Sequence, residues 1–121
     1  MPTQVFEPTI QRVSADERGE IYAIALPGER ELMLLHSKKG SLRGGHSHDV
    51  PETVLILSGR MQYHKRDLWD RVEELSDGDS SYNPAGQPHM GEFLEDTWLV
   101  EWKIGTSKFA WTTQNYAPWR E

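Results

Sequence analysis

Residues 40–59 read GSLRGGHSHDVPETVLILSG. The stretch holds His46, His48 and Glu52 ahead of an apolar run and a closing glycine. Side chains alternate faces along a β-strand, so His46 and His48 point the same way. Two neutral imidazoles on one strand face can grip one transition-metal ion. Pro51 marks a bend, and a turn there can bring the Glu52 carboxylate back towards the same ion. The run 53–57, TVLIL, is apolar and β-branched without a charged break, which predicts a strand covered on both faces. Ser58-Gly59 ends it, and Gly59 predicts a hairpin turn. A His-x-His pair alone in a glycine-rich stretch reads as loop histidines on a surface; the carboxylate at this spacing makes it a ligand candidate.

A second stretch, residues 78–89, reads GDSSYNPAGQPH. Gly78-Asp79 turns the chain after a strand-like segment, 72–75. Pro84-Ala85-Gly86 is a tight turn, and His89 opens the next strand-like run. By itself His89 reads as a structural histidine. Taken together, the two stretches can set three imidazoles and one carboxylate around a single point, which makes a metal site the candidate functional centre.

Both stretches resemble the cupin family. Its first motif, G-x5-H-x-H-x3-E-x6-G, is met by Gly40, His46, His48, Glu52 and Gly59. Its second, G-x5-P-x-G-x2-H-x3-N, is met by Gly78, Pro84, Gly86 and His89, with Phe93 in place of the final asparagine. That asparagine is not a metal ligand in the family, so its loss leaves the metal argument standing. The resemblance implies an all-β fold, a double-stranded β-helix or jelly-roll barrel with the metal inside its mouth. It carries the ligand role onto His46, His48, Glu52 and His89.

At 121 residues the chain reads as a single domain, 1–121, with a core that needs no staples. There is no cysteine, which excludes a disulfide framework, a thiolate zinc site and a cysteine nucleophile. The first residues, MPTQVFEPTIQR, have neither a basic start nor an apolar core, so no signal peptide is expected. The apolar runs are too short to span a membrane, and the expected location is the cytoplasm. Acidic residues outnumber basic ones, 19 to 13, for a net charge of −6. With no basic stripe, nucleic acid is not an expected partner. Five tryptophans are many for this length, and some are expected at a pocket or an interface. A homodimer is expected, with Trp69, Trp111, Tyr116 and Trp119 as candidate contacts.

In chain order, strands are predicted over 4–13, 21–26, 32–37, the ligand strand, 53–57, 61–65, 71–75, 89–94 and 97–104. Turns are expected at 16–19, 27–28, 38–40, 67–70 and 95–96, the last joining 89–94 and 97–104 as a hairpin. In the third strand Leu32, Leu34 and His36 share one face and Met33 and Leu35 the other. In the last, Trp98, Val100 and Trp102 lie opposite Leu99 and Glu101. No long segment has helical periodicity, and short strands separated by turns every 8 to 12 residues point to an all-β sandwich or barrel.

Three imidazoles and a carboxylate suit one divalent ion of Fe, Mn, Ni, Co or Zn. Four protein ligands leave up to two positions of an octahedral site for water, substrate or dioxygen. The expected function is a metal-dependent enzyme acting on a small polar substrate, with carbohydrate derivatives among the candidates, by isomerase, lyase or dioxygenase chemistry. Arg43, His64 and Tyr82 are the catalytic candidates. Arg43 would hold an anionic group, and His64 or Tyr82 would move a proton. A second resemblance joins Asp16-Glu17-Arg18-Gly19 and Arg43-Gly44-Gly45-His46-Ser47-His48 to cupins that isomerise or epimerise nucleotide-linked keto-sugars. It implies a metal-free alternative in which His46 and His48 move protons and Arg43 meets a phosphate. A third alternative is a binding cupin without catalysis.

Overall fold

A computed structural model describes residues 7–28, 30–66, 69–103 and 113–115. They form eleven strands: β1 (Ile10–Asp16), β2 (Gly19–Leu26), β3 (Arg30–Ser37), β4 (Leu42–His48), β5 (Glu52–Ser58), β6 (Arg60–Arg66), β7 (Asp70–Ser76), β8 (Ser80–Asn83), β9 (His89–Phe93), β10 (Thr97–Lys103) and β11 (Thr113–Asn115). One sheet has the order β1-β2-β3-β10-β5-β8 and the other β11-β4-β9-β6-β7. All the pairings are antiparallel. The all-β class expected from the strand periodicity is present, and so is the jelly roll that the cupin resemblance implies. Among the described residues no helix is long and apolar enough to cross a membrane.

The two sheets bury one face each. Leu35, Val54, Ile56 and Leu99 from the first meet Met61, Tyr63, Leu75 and Phe93 from the second in one core cluster. Each is separated from its neighbours on the same strand by an outward residue, so period-two alternation builds the core. Phe93, where the cupin motif has asparagine, is 2% exposed and fills this core.

Three expectations are corrected. β5 is covered on one face only: Val54 and Ile56 are buried, whereas Leu57 is 48% exposed on the outer face. An unbroken apolar run does not distinguish a doubly covered strand from one with an apolar outer face. Gly59 does not close a hairpin. It passes the chain from β5 in one sheet to β6 in the other. The Glu95-Asp96 turn likewise passes it from β9 to β10, which do not pair. A turn signal specifies a reversal, not which strand lies alongside. These two corners pack on each other: Gly59 has φ of 113°, and a Cβ there would come within 2.7 Å of the Asp96 carbonyl oxygen and the Thr97 Cα. The predicted turn at 67–70 does join a hairpin, β6 with β7, through the pair Arg66 and Asp70; Asp67 and Leu68 lie outside the described residues. The short β8, paired with β5, carried no strand signal of its own.

Candidate metal centre

The ligand strand β4 lies against β9, and their register contains a bulge. Arg43 pairs with Gly91 and His46 with His89, so three steps on β4 match two on β9. Gly44 and Gly45 supply the left-handed backbone this requires, with φ of 95° and 75°. The bulge changes the strand's parity. Arg43 and His46, three residues apart, therefore both line the same cavity. His48 follows His46 by ordinary alternation.

The imidazole nitrogens of His46, His48 and His89 all lie within 4.8 Å of one another. His48 and His89 are buried and His46 is half-buried. Glu52 opens β5 in the facing sheet and is 1% exposed. Its Oε2 lies 3.4 Å from His48 Nε2 and its Oε1 3.4 Å from His89 Nε2. Two donors each about 2.1 Å from one ion, at tetrahedral angles, stand roughly 3.4 Å apart. The spacing between carboxylate and imidazoles is therefore that of neighbouring ligands.

Hydrogen bonds set the imidazole orientation. His89 Nδ1 lies 3.0 Å from the Gln87 carbonyl oxygen. A carbonyl only accepts, so Nδ1 carries the proton and Nε2 presents a lone pair. That lone pair faces Glu52 Oε1, another acceptor. His48 Nδ1 is 2.8 Å from Thr113 Oγ1, which likewise turns Nε2 towards Glu52. Burial, then the nearby Lys103 cation, pushes the His48 pKa down to about 3. Burial also lowers that of His89, against the raising effect of Glu52. Both rings are neutral at pH 7, as ligands must be. Glu52 Oε2 is buried and accepts no hydrogen bond, although Lys103 Nζ lies 2.8 Å away as an ion-pair partner. Neutral imidazoles and a buried carboxylate are a donor set that fits a divalent transition ion.

Beside this cluster opens a cavity of 170 Å³, lined by Arg18, Arg43, His46, Tyr63, His89 and Glu101 among others. Arg43 is anchored through Nε to Ser37 Oγ at 2.7 Å and through Nη2 to the His36 carbonyl at 3.2 Å. Desolvation, then the adjacent Arg18 cation, lowers its pKa. Tyr63 is buried, and its hydroxyl accepts from Asn83 Nδ2 at 2.7 Å. Burial, then Glu52, pushes its pKa up, so it remains a phenol. Glu101 faces inward from β10. Its side chain keeps 23% of its surface accessible, but that surface belongs to a concave cavity. Desolvation and then the Glu52 charge raise its pKa to about 8, leaving a largely neutral carboxyl at pH 7.

The three imidazoles thus converge from β4 and β9, Glu52 adjoins His48 and His89 from β5, and Arg43 lines the cavity beside them. His64 and Tyr82 do not. His64 points to the outer face of β6 with Glu92 Oε2 at 3.4 Å, and Tyr82 is 52% exposed on β8. Parity already separates His64 from the inward Tyr63 and Lys65. Arg18, Glu101 and Lys103 are site residues that the reading of the sequence did not assign. The last two share the parity of Leu99, but the sequence does not say which face of that strand is inward. Arg18, in the β1–β2 turn, carried no signal beyond the motif it belongs to.

The sequence profile of the cupin domain matches residues 26–102. No curated protein matches the chain. Among solved structures, the capsular polysaccharide assembling protein CapF from Staphylococcus aureus superposes with a TM-score of 0.71 at 22% identity, over 88% of this chain and 34% of that one. Oxalate decarboxylase from Bacillus subtilis gives 0.73 at 21% identity, over 98% of this chain and 34% of the other. Vicilin from hazelnut, Corylus avellana, gives 0.71 at 14% identity, over 93% and 38%. The chain spans about a third of the length of each.

Proposed function

The chain belongs to the cupin family, and on that premise we propose that it is a metal-dependent enzyme acting on a small polar substrate within its barrel. His46, His48, His89 and Glu52 would hold one divalent ion of Fe, Mn, Ni, Co or Zn. The observation that carries this reading is the contact of His89 Nε2 with Glu52 Oε1, two acceptors at 3.4 Å. A cation between them turns a repulsive contact into a shared one. Oxalate decarboxylase, which has the same fold, has Mn(II) centres. When bound, the ion would supply Lewis-acid polarisation of a substrate oxygen, as isomerase, lyase or dioxygenase chemistry requires. The chain's own residues would then do the rest. Arg43 would orient an anionic group, Tyr63 and Phe93 would exclude water, and His89 would be held in one tautomer by Gln87.

Elemental analysis tests the reading. Protein grown with added Fe, Mn, Ni, Co and Zn is expected to carry about one ion per chain. His48→Ala and His89→Ala should lose most of it, by more than the ~10–100-fold that outer hydrogen-bond partners typically contribute. Occupancy should hold at pH 6.5 and fall only at distinctly acidic pH, because burial lowers the pKa of His89 and takes that of His48 down to about 3. Wild type carrying far less than one ion per chain after such loading ends the metal reading.

One observation favours the metal-free alternative, a sugar-nucleotide ketoisomerase or epimerase. Arg18 and Arg43, from the two stretches that resemble such enzymes, meet at the cavity, as a phosphate-bearing substrate would need. The proposal also includes a homodimer in the cytoplasm. Trp69 is 64% exposed, and Leu57, Tyr82 and Trp98 add apolar area on the outer face of the six-stranded sheet at 48%, 52% and 37%. Trp111, Tyr116 and Trp119 lie outside the described residues.

A further inference from the structure

Arg43 and Glu101 face each other across the barrel, one from each sheet, with the 170 Å³ cavity between them. Arg43 spends Nε and Nη2 on Ser37 and the His36 carbonyl, and no hydrogen bond of Nη1 is seen among the described residues. It is held rigidly, partly desolvated, and set beside a second guanidinium, that of Arg18. Arg18 is itself paired with Asp16, Nη2 to Oδ2 at 2.6 Å, so Arg43 carries the attraction for an incoming anion. On the other wall, Glu101 has no hydrogen-bond partner among the described residues, and its nearest ion-pair contact is Lys103 at 4.0 Å. A neutral carboxyl in that position offers one O–H donor. The cavity is close in size to one that takes up benzene, too small to enclose a nucleotide.

We propose that this cavity is a subsite for a small 2-hydroxy- or 2-oxo-carboxylate, its carboxylate paired with Arg43 and its 2-oxygen accepting a hydrogen bond from Glu101. This names the substrate class of the site proposed above and rests on that reading of the cavity. The geometry divides the labour. Arg43 supplies the attraction for any carboxylate, and Glu101 distinguishes a 2-oxygenated acid from its plain counterpart. A buried donor left without its acceptor disfavours the plain acid.

The test is a titration followed by NMR chemical shifts, on protein stripped of metal by chelation and again on protein loaded with metal. The probes are lactate, pyruvate, propionate and inorganic phosphate. Lactate and pyruvate are expected to bind more tightly than propionate by roughly tenfold, and more tightly than phosphate. Arg43→Met should weaken all three carboxylates by about 10–100-fold, with part of the loss restored in Arg43→Lys. Glu101→Leu should bind lactate and propionate equally, whereas Glu101→Gln, whose amide still donates, should keep the preference. Circular dichroism melts establish that each variant is folded. Where Glu101→Leu does not fold, the wild-type lactate-to-propionate ratio takes its place, and should fall towards one as pH rises past about 8. Phosphate binding more tightly than every carboxylate, an Arg43→Met protein that binds like wild type, or a preference that survives both the loss of Glu101 and the rise in pH would each overturn the assignment. Elemental analysis reports on the metal separately. A chain without metal that still discriminates lactate keeps this inference and loses the other; a metal-loaded chain that binds no carboxylate does the reverse.

Discussion

Lys103 shows how one side chain sets the terms for a whole site. It ends β10, is 9% exposed, and puts its ammonium 2.8 Å from Glu52 Oε2. That position is beside the one a divalent ion would share. The lysine therefore compensates the buried carboxylate and would compete for it with a metal. Replacing Lys103 by Met should tighten Co(II) or Mn(II) binding by about tenfold, the usual worth of a charge-assisted contact; an unchanged affinity in a competition titration would show that the ammonium does not compete. Glu101 makes a second prediction. Its carboxyl ordinarily titrates at 4.5 and is raised to about 8 by desolvation and Glu52, against Lys103 and Arg43. The folded state then holds the extra proton between those values, so stability is complete below about 4.5 and declines as pH rises through about 8. Glu101→Gln should flatten the decline between about pH 4.5 and 8 in a melting-temperature series; a decline that persists would place its origin elsewhere. Neither residue was assigned from sequence, because an acid and a lysine near a strand end read as solvent-facing until the fold shows which sheet face they share. The four candidate ligands were legible, since their spacing is local within each motif.

Among the elements, β4 departs furthest from regular geometry, and the departure is what the site uses. Strict alternation would put Arg43 on the opposite face from His46. The two-glycine bulge removes that conflict. Gly44→Ala should be costly twice over: φ of 95° strains any residue with a Cβ, and that Cβ would stand 2.9 Å from the His89 carbonyl oxygen. A loss of about 1–3 kcal/mol is expected, read as a fall in melting temperature of several degrees or more. The distortion should also move His89 and lower metal occupancy in the protein that remains folded. A Gly44→Ala protein as stable and as well metallated as wild type would show that the bulge can re-form without glycine. The glycine pair was visible in the sequence, but its effect on parity was not, because a bulge is a relation between two strands. The hairpins wrongly assigned at Gly59 and Glu95-Asp96 failed for the same reason. Each turn was real, and the partner strand lay in the other sheet.

For the whole molecule, the all-β class followed from periodicity and the jelly roll from the cupin resemblance, whereas the sheet order followed from neither. Period two says that a strand has an inner face; it does not say which of eleven strands lies next to it. The outer face of the six-stranded sheet carries Leu57, Tyr82 and Trp98, with Trp98 stacked on His36 at 4.6 Å between ring centroids. Exposed apolar area of this kind is most simply covered by a second copy. Light scattering at micromolar concentration should return twice the chain mass of 13.9 kDa, and Leu57→Glu with Trp98→Glu should halve it. A wild-type monomer would remove the dimer from the proposal.

β11 gives the site an order in time. Thr113 contacts His48 across 65 residues of sequence, and its strand edges β4 at His46 and His48. At about 5–20 residues per second, a ribosome that has just made His48 needs roughly 3–13 seconds more to make the residue that orients it. Glu52 and His89 arrive within that interval. If they hold a metal as proposed, the nascent histidines would exist first as flexible, unselective ligands and only later as a fixed set. Whichever ion the cell supplies during those seconds meets the chain before its geometry can choose.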